Sequence, residues 1–110
     1  MAWYLVIRRR TEPPADPAVT VKRHLEWMRA QHDAGTVVIS GPAADRQTGI
    51  YVMRCGSCSE AAAIAAGDPL AEDGRAGIEV IEWHVHQMLG VGSFDFAVCS
   101  DDMPESQRAS

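Results

Sequence analysis

The sequence predicts an α+β fold in which two helices lie on one face of a four-stranded sheet. The first observation is the order of its segments, which follow strand-like and helix-like patterns as β-α-β-β-α-β. The second is that helix-starting and helix-ending residues separate these segments. The third is size, because a chain of 110 residues that is 46% apolar can form one domain with its own core.

Local signals predict the first three elements. Residues 2–8 form a nearly continuous apolar run, which is typical of a central strand covered on both faces. Asp16 and Pro17 are residue types that begin helices, and Gly35 is the type that ends them. Residues 36–40 follow as a β-branched strand.

The helix between these strands has an amphipathic pattern that two histidines interrupt. Val21, Leu25 and Met28 recur at helical spacing and are expected to form its buried face. His24 lies at the edge of this stripe, and His32 falls inside it. The pattern therefore indicates a titratable imidazole beside the interface between helix and sheet.

The second half of the chain predicts another strand, helix and strand. Residues 48–55 alternate as a strand, and a capping box at residues 57–60 begins a short helix that ends near Ala66. Residues 71–77 are a polar loop, and residues 78–86 are expected to form a strand that is central or next to central. Its two faces differ, because one carries an apolar row expected beneath the helices and the other carries Glu82, His84 and His86.

This order of elements is the split βαβ arrangement, which is called ferredoxin-like. Two helices cover one sheet face, so the apolar residues on the other face are expected to pack against a second copy of the chain. The expected assembly is a homodimeric α/β barrel enclosing a pocket. Residues 1–90 are expected to form this domain, and residues 91–110 a C-terminal extension. Within the extension, residues 93–99 are expected to form an extra strand or to cross to a partner, and the end is expected to be frayed.

Composition and charge exclude several classes of function. The net charge of −5 argues against nucleic acid as a partner, and the basic run at residues 8–10 is interpreted as a solvated strand end. No segment is apolar for long enough to span a membrane, and the first residues are not expected to act as a signal peptide. Three cysteines without a secretion signal indicate reduced thiols and a cytoplasmic location.

Short motifs occur in a fixed order across residues 1–88: His24-Leu25, Gly35, Ser40-Gly41-Pro42, Ala61, and Asp68-Pro69 followed by Gly74 or Gly77. Together they resemble those of the YciI-like (YCII-related) proteins. The resemblance implies a dimeric α/β barrel related to muconolactone isomerase. It also implies that His24 and Asp68 are an acid/base pair, because the family's His and Asp map onto them. Members with known chemistry include a dehydrochlorinase that acts on a chlorinated hydroquinone.

The chemistry of these two residue types agrees with that implication. An imidazole takes or gives a proton near neutral pH, and a carboxylate bonded to its other nitrogen sets its tautomer and orientation. The residues alone leave structural interpretations open. His24 would then bond to a backbone carbonyl, and Asp68 would form the turn before Pro69.

Four further residues are candidates for binding a substrate: Ser40, Tyr4, His84 and His86. A serine at a strand end can donate a hydrogen bond to a bound oxygen, or to its own turn. His84 and His86 have a spacing that can present two imidazoles to a metal, but the sequence supplies no matching set of ligands. We therefore predict no metal, and interpret them as pocket-lining groups or as exposed residues near a strand end.

Cys55 and Cys58 have the spacing of a thiol–disulfide motif at a strand-to-helix junction. The pair follows the third strand and has no aromatic residue before it, which is atypical of such modules. A metal site would require a second pair, and Cys99 is the one cysteine left.

The leading functional hypothesis is an enzyme that transfers a proton on a small cyclic or aromatic-derived molecule, by isomerisation or by elimination of water or halide. This chemistry requires no cofactor. The alternatives are a cofactor-free monooxygenase on the same barrel, a non-catalytic small-ligand binding or partner-regulating dimer, and thiol–disulfide exchange.

Overall fold

The computed structural model describes residues 1–89. Their elements are strand β1 (Ala2–Arg10), helix α1 (Pro17–Asp33), strand β2 (Val37–Pro42), strand β3 (Thr48–Cys55), helix α2 (Cys58–Ala66), a 3-10 segment (Pro69–Gly74) and strand β4 (Ala76–Trp83). The order β-α-β-β-α-β is therefore confirmed. The extra strand expected at residues 93–99 lies outside the described residues.

The four strands form one antiparallel sheet in the order β2-β3-β1-β4. Strand β1 is central, as its apolar sequence predicts, and pairs with β3 on one side and β4 on the other. Both helices contribute to the core on the same sheet face, where Met28 of α1 and Ala61 of α2 pack with Tyr4 and Met53. This arrangement is the ferredoxin-like fold that the sequence predicts.

The predicted helix limits follow from capping. The carboxylate of Asp16 accepts a hydrogen bond from the backbone N–H of Val19, and Ser57 accepts one from Glu60 at the start of α2. Gly35 has φ of +76°, the left-handed conformation that ends α1 without a Cβ penalty. Local sequence alone was therefore sufficient to position both helices along the chain.

The rotation of α1 about its axis differs from the expectation. Val21 and Leu25 are 44% and 61% exposed, and Met28 is the one member of the expected stripe that is buried. The half-buried residues of this helix include His24 and Trp27, which turn toward the sheet instead. The physical reason is polar pairing, because His24 has a buried hydrogen-bond partner on the sheet side, described below.

The fourth strand lies next to the central strand β1, but its length and the direction of its faces differ from the expectation. Strand β4 is an edge strand that ends at Trp83, so His84 and His86 lie beyond it. Ile81 and Trp83 lie on the open face of the sheet, while the core beneath the helices contains Val80. The expected faces of this strand were therefore exchanged, because period-two alternation separates two faces without identifying which one meets the helices.

The open face of the sheet carries a second, smaller apolar cluster. Trp3, Val52 and Val85 are buried there, and Leu5 packs against them. Ile50, Ile81 and Trp83 on the same face remain 39–45% exposed. In the described part of the chain, no helix is both long enough and apolar enough to cross a membrane.

Candidate active site

Asp68 lies at the centre of a buried polar cluster on the helix side of the sheet. It caps the 3-10 segment, and its Oδ1 accepts a hydrogen bond of 2.9 Å from the backbone N–H of Leu70. The same oxygen lies 2.8 Å from Nδ1 of His24, and Oδ2 accepts a 2.8 Å hydrogen bond from Nη1 of Arg8. Asp68 is fully buried, so these three partners replace the water it has lost.

These contacts decide the charge of Asp68. Burial acts to raise its pKa, but the hydrogen bonds from His24 and Leu70 and the electrostatic interactions with His24 and Arg8 outweigh burial and hold the pKa below the ordinary value of 3.8. Asp68 is therefore an anion at neutral pH. An anionic carboxylate beside Nδ1 favours the tautomer of His24 that carries its proton on Nδ1.

The other ring nitrogen of His24, Nε2, is then the basic one. Within residues 1–89 it has no hydrogen-bond partner, and the side chain is 15% exposed. An imidazole whose Nδ1–H is held by a carboxylate and whose Nε2 is unoccupied has the arrangement required of a general base. The sequence places these two residues on separate elements, and the fold brings them into contact.

Arg8 is the residue of this cluster that the sequence analysis missed. The basic run predicts a solvated strand end here, but Arg8 is 8% exposed and forms an ion pair with Asp68. Alternation in β1 groups Tyr4, Val6 and Arg8 on one face, but it does not identify that face as the one that meets the helices. Arg9, on the other face, is exposed and pairs with Glu79.

Gly49 makes room for the buried guanidinium. It is the partner of Arg8 in the β1–β3 register. A Cβ atom at this position would lie 2.5 Å from Cζ and 2.7 Å from Nη1 of Arg8. The absence of a Cβ at Gly49 therefore leaves the space that the guanidinium occupies, and no left-handed φ is involved at this position.

Two aromatic residues line the cluster. The indole of Trp27 stacks on His24 with ring centroids 6.4 Å apart, and meets Tyr51 edge-on at 6.2 Å. The hydroxyl of Tyr51 is buried without a hydrogen-bond partner among the described residues. Burial and the nearby charge of Asp68 raise the pKa of Tyr51, so the phenol is neutral beside the ion pair.

A cavity of about 750 Å³ lies on the open side of the sheet, with walls that are mostly apolar side chains. Its lining includes Trp3, Leu5, Val52 and Trp83, residues of the open sheet face, together with Ile39, Ser40 and Tyr51. Neither His24 nor Asp68 belongs to the lining. The expected pocket beside the imidazole–carboxylate pair is therefore not this cavity, because the sheet lies between them.

The four predicted substrate-binding residues occupy different places. Ser40 contributes to the cavity lining, and its hydroxyl lies 2.8 Å from Nε2 of His32 on α1. Tyr4 is buried in the core on the opposite face and does not line the cavity, because neighbouring residues of a strand point to opposite faces and Trp3 takes the cavity side. His84 and His86 are exposed beyond the end of β4 and are likewise absent from the lining in the described chain.

The cysteines and histidines of residues 1–89 form no metal site. No group of three or more His, Cys, Asp or Glu side chains in this part of the chain is arranged to hold a metal ion. Cys55 and Cys58 are free thiols, the first buried and the second exposed. Burial raises the pKa of Cys55, which works against its use as a nucleophile.

Comparison with known proteins agrees with the fold and with the family motifs. A solved structure of 5-chloro-2-hydroxyhydroquinone dehydrochlorinase (TftG) from Burkholderia phenoliruptrix AC1100, in complex with 2,5-dihydroxybenzoquinone, superimposes with a TM-score of 0.51 and 16% sequence identity. The superposition covers 73% of this chain and 92% of the dehydrochlorinase. Among curated proteins, none is significantly similar in sequence. The family model of the YCII-related domain matches residues 1–84, and the chain therefore belongs to the YCII-related family.

Proposed function

We propose that this protein is an enzyme that moves a proton on a small molecule, with His24 as the acid or base and Asp68 as its orienting partner. The observation that carries the proposal is the 2.8 Å contact between Nδ1 of His24 and the fully buried carboxylate of Asp68. In the neutral imidazole, a carboxylate at this position holds the ring proton on Nδ1, so Nε2 carries the basic lone pair, and it fixes the plane of the ring. The arrangement requires no metal or organic cofactor for proton transfer.

The reaction class is isomerisation, or elimination of water or halide, on a cyclic or aromatic-derived substrate. In such a reaction Nε2 of His24 accepts a proton from the substrate. The electron pair left behind either moves within the substrate, which later regains a proton, or expels the leaving group. The dehydrochlorinase that shares this fold acts on 5-chloro-2-hydroxyhydroquinone, a chlorinated ring compound, and this supports the substrate class.

A second candidate is a dimer that binds a small ligand without transforming it. The cavity favours this alternative, since its volume of about 750 Å³ suits a small ligand and its lining contains neither His24 nor Asp68. A binding protein of this kind would use the open face of the sheet and would retain its ligand affinity in a His24→Ala variant.

The experiment that separates the candidates uses 5-chloro-2-hydroxyhydroquinone as the probe. Chloride release and oxygen consumption are followed for the wild-type protein and for the His24→Gln and Asp68→Asn variants. We expect chloride release without oxygen consumption, and a loss of about 100-fold or more in kcat for His24→Gln, which is the usual effect of removing a general base. Arg29→Gln is the control, because Arg29 lies on the same helix with its side chain 79% exposed.

The proposal fails if His24→Gln turns over the probe as fast as Arg29→Gln does. Binding of the probe without chloride release, at equal affinity in both variants, favours the ligand-binding alternative. Oxygen consumption that matches substrate loss would instead indicate a monooxygenase.

We further propose that two copies of the chain pack through their open sheet faces. The support is the row of partly exposed apolar residues there, Ile50, Ile81 and Trp83, which a second sheet would cover. Residues 1–90 would form the folded domain of each copy and residues 91–110 an extension. The free thiols support a cytoplasmic location.

A further inference from the structure

Arg8 binds the side of Asp68 that His24 leaves free. The two oxygens of the carboxylate are divided between them, since Oδ1 meets the imidazole and Oδ2 meets the guanidinium. The three side chains therefore form a continuous chain of hydrogen bonds from the centre of the sheet to α1. A buried arginine behind a His–Asp pair requires a physical explanation, because burying a cation costs free energy.

We infer that Arg8 is a positioning residue for the proposed reaction, which holds Asp68 in place as an anion and offsets its attraction for a protonated His24. With His24 neutral, the charges of Arg8 and Asp68 cancel. With His24 protonated, the cluster carries one uncompensated positive charge in a largely buried site. Arg8 therefore favours the neutral imidazole, which is the form that accepts a proton from a substrate.

Without Arg8, the protonated form of His24 would be favoured over the neutral form. A lone buried carboxylate is stabilised by a protonated imidazole, so His24 and Asp68 would form a persistent ion pair. The imidazole would then already hold the proton that it must accept as a base. This inference rests on the proposed function for its catalytic meaning, but the charge effect itself requires no substrate.

Gly49 leaves the space that the buried side chain of Arg8 occupies. The guanidinium of Arg8 lies over Gly49, where any side chain would collide with it. The guanidinium is the end of a flexible side chain, so a Gly49→Ala variant would displace it and leave the backbone of β3 in place. That displacement breaks the bond to Asp68 without changing the charge of any residue.

Other charged groups near the cluster are largely neutralised. Tyr51 on β3 is a neutral phenol, as described above. Glu72 of the 3-10 segment interacts electrostatically with Asp68, but its charge is paired at 2.7 Å with Arg23 of α1. Helix α2 faces the sheet with Ala61 and Ala65. Arg8 is therefore the cation in direct contact with Asp68.

The test is an NMR titration of the His24 ring, assigned by comparison with a His24→Gln spectrum. We expect Arg8→Met to move the midpoint of this titration upward by about one pH unit, a tenfold gain in proton affinity, since it removes a positive charge across the carboxylate. Gly49→Ala is expected to move it in the same direction, and Arg8→Lys to keep it near the wild-type position. If the probe is turned over, the acid limb of the pH–rate profile moves with the midpoint.

Arg9→Met is the matched control, because it removes the same charge from the next residue, whose side chain is 60% exposed and paired with Glu79. The His24 titration in Arg9→Met should match that in the wild-type protein. An unmoved midpoint in Arg8→Met, or an equal movement in Arg9→Met, overturns the inference. If Arg8→Met does not fold, an unmoved midpoint in Gly49→Ala overturns it equally. If the midpoints move as expected but His24→Gln turns over the probe as fast as Arg29→Gln does, the proposed function fails and the charge effect of Arg8 stands.

Discussion

The carboxylate of Asp68 lies 2.8 Å from Nδ1 of His24, although 44 residues separate them in the chain. The contact joins helix α1 to the start of the 3-10 segment, on the side of the sheet that carries the main core. The carboxylate of Asp68 is held in position for this contact, because the backbone N–H of Leu70 donates a hydrogen bond to it. Folding therefore brings the proposed acid/base pair together and gives a buried carboxylate a hydrogen-bond partner at the same time.

Replacing Asp68 with Asn should reduce stability and weaken its dependence on acid pH. The pKa of Asp68 is lower in the folded chain than its ordinary value of 3.8. Its stabilising contribution is thus fully present above that value and is lost as pH falls through the folded pKa. We expect Asp68→Asn to cost about 3 kcal/mol at pH 7, because Arg8 is left buried and unpaired.

Urea unfolding of the wild type and variant between pH 2.5 and 7 provides the measurement. The difference in free energy of unfolding between the wild type and Asp68→Asn should become smaller as pH falls. Asp45→Asn is a useful comparison, because Asp45 also has a lowered pKa, caused by hydrogen bonds with Gln47 and Thr48, but is exposed. A difference for Asp68→Asn that stays constant with pH would contradict the assignment of a buried anion.

Replacing Tyr51 with Phe should leave the fold as stable or make it more stable, by up to about 1 kcal/mol. The hydroxyl of Tyr51 has no partner within residues 1–89, so its removal relieves the cost of a buried polar group. Thermal or urea unfolding measures the change. Tyr51→Ala, which also removes the ring that meets Trp27, should instead cost about 3 kcal/mol or more. A clear loss of stability in Tyr51→Phe would show that the hydroxyl does have a partner.

A charge on the open sheet face should separate the proposed dimer. Ile50 and Ile81 lie on that face and are about 40% exposed. Ile50→Lys and Ile81→Lys would bury a charge between two sheets, so sedimentation should change from twice the mass of the chain to the mass of one chain. Leu25→Lys is the control, since Leu25 is 61% exposed on the helix side. A wild-type protein that sediments as a monomer contradicts the proposed dimer.

The two thiols of the C-x-x-C motif should react at different rates. Cys55 is buried with a raised pKa, whereas Cys58 is exposed at the start of α2. Alkylation with iodoacetamide, followed by peptide mass mapping, should label Cys58 at least about tenfold faster than Cys55 in the folded protein. The two rates should become similar in urea. Equal alkylation rates in the folded protein would support a redox function for Cys55 and Cys58.

The limits of the helices could be predicted closely because they depend on local chemistry. Asp16 and Ser57 cap helices wherever they fold, since each side chain bonds a backbone N–H three residues away. Gly35 ends α1 for an equally local reason, its left-handed backbone. The 3-10 segment at Pro69–Gly74 was expected to be partly a loop, because its turns depend on Asp68 and its distant partners.

The candidate site could be predicted in part. The family motifs identify His24 and Asp68, and the fold joins them. Arg8 could not be separated from Arg9 by residue type, although one is buried and the other exposed. The distinction requires knowledge of which face of β1 meets the helices, and alternation does not provide it.

By itself, the sequence determined the order and type of the elements, because capping residues, glycine stops and β-branched runs act over a few neighbouring positions. Tertiary structure alone decided which face of each element is buried. A helix can rotate and a strand can turn over at little local cost, so that choice depends on polar pairs between distant elements, here His24 and Arg8 with Asp68. The same long-range pairing forms the candidate site, which is why its third member became visible only in the folded chain.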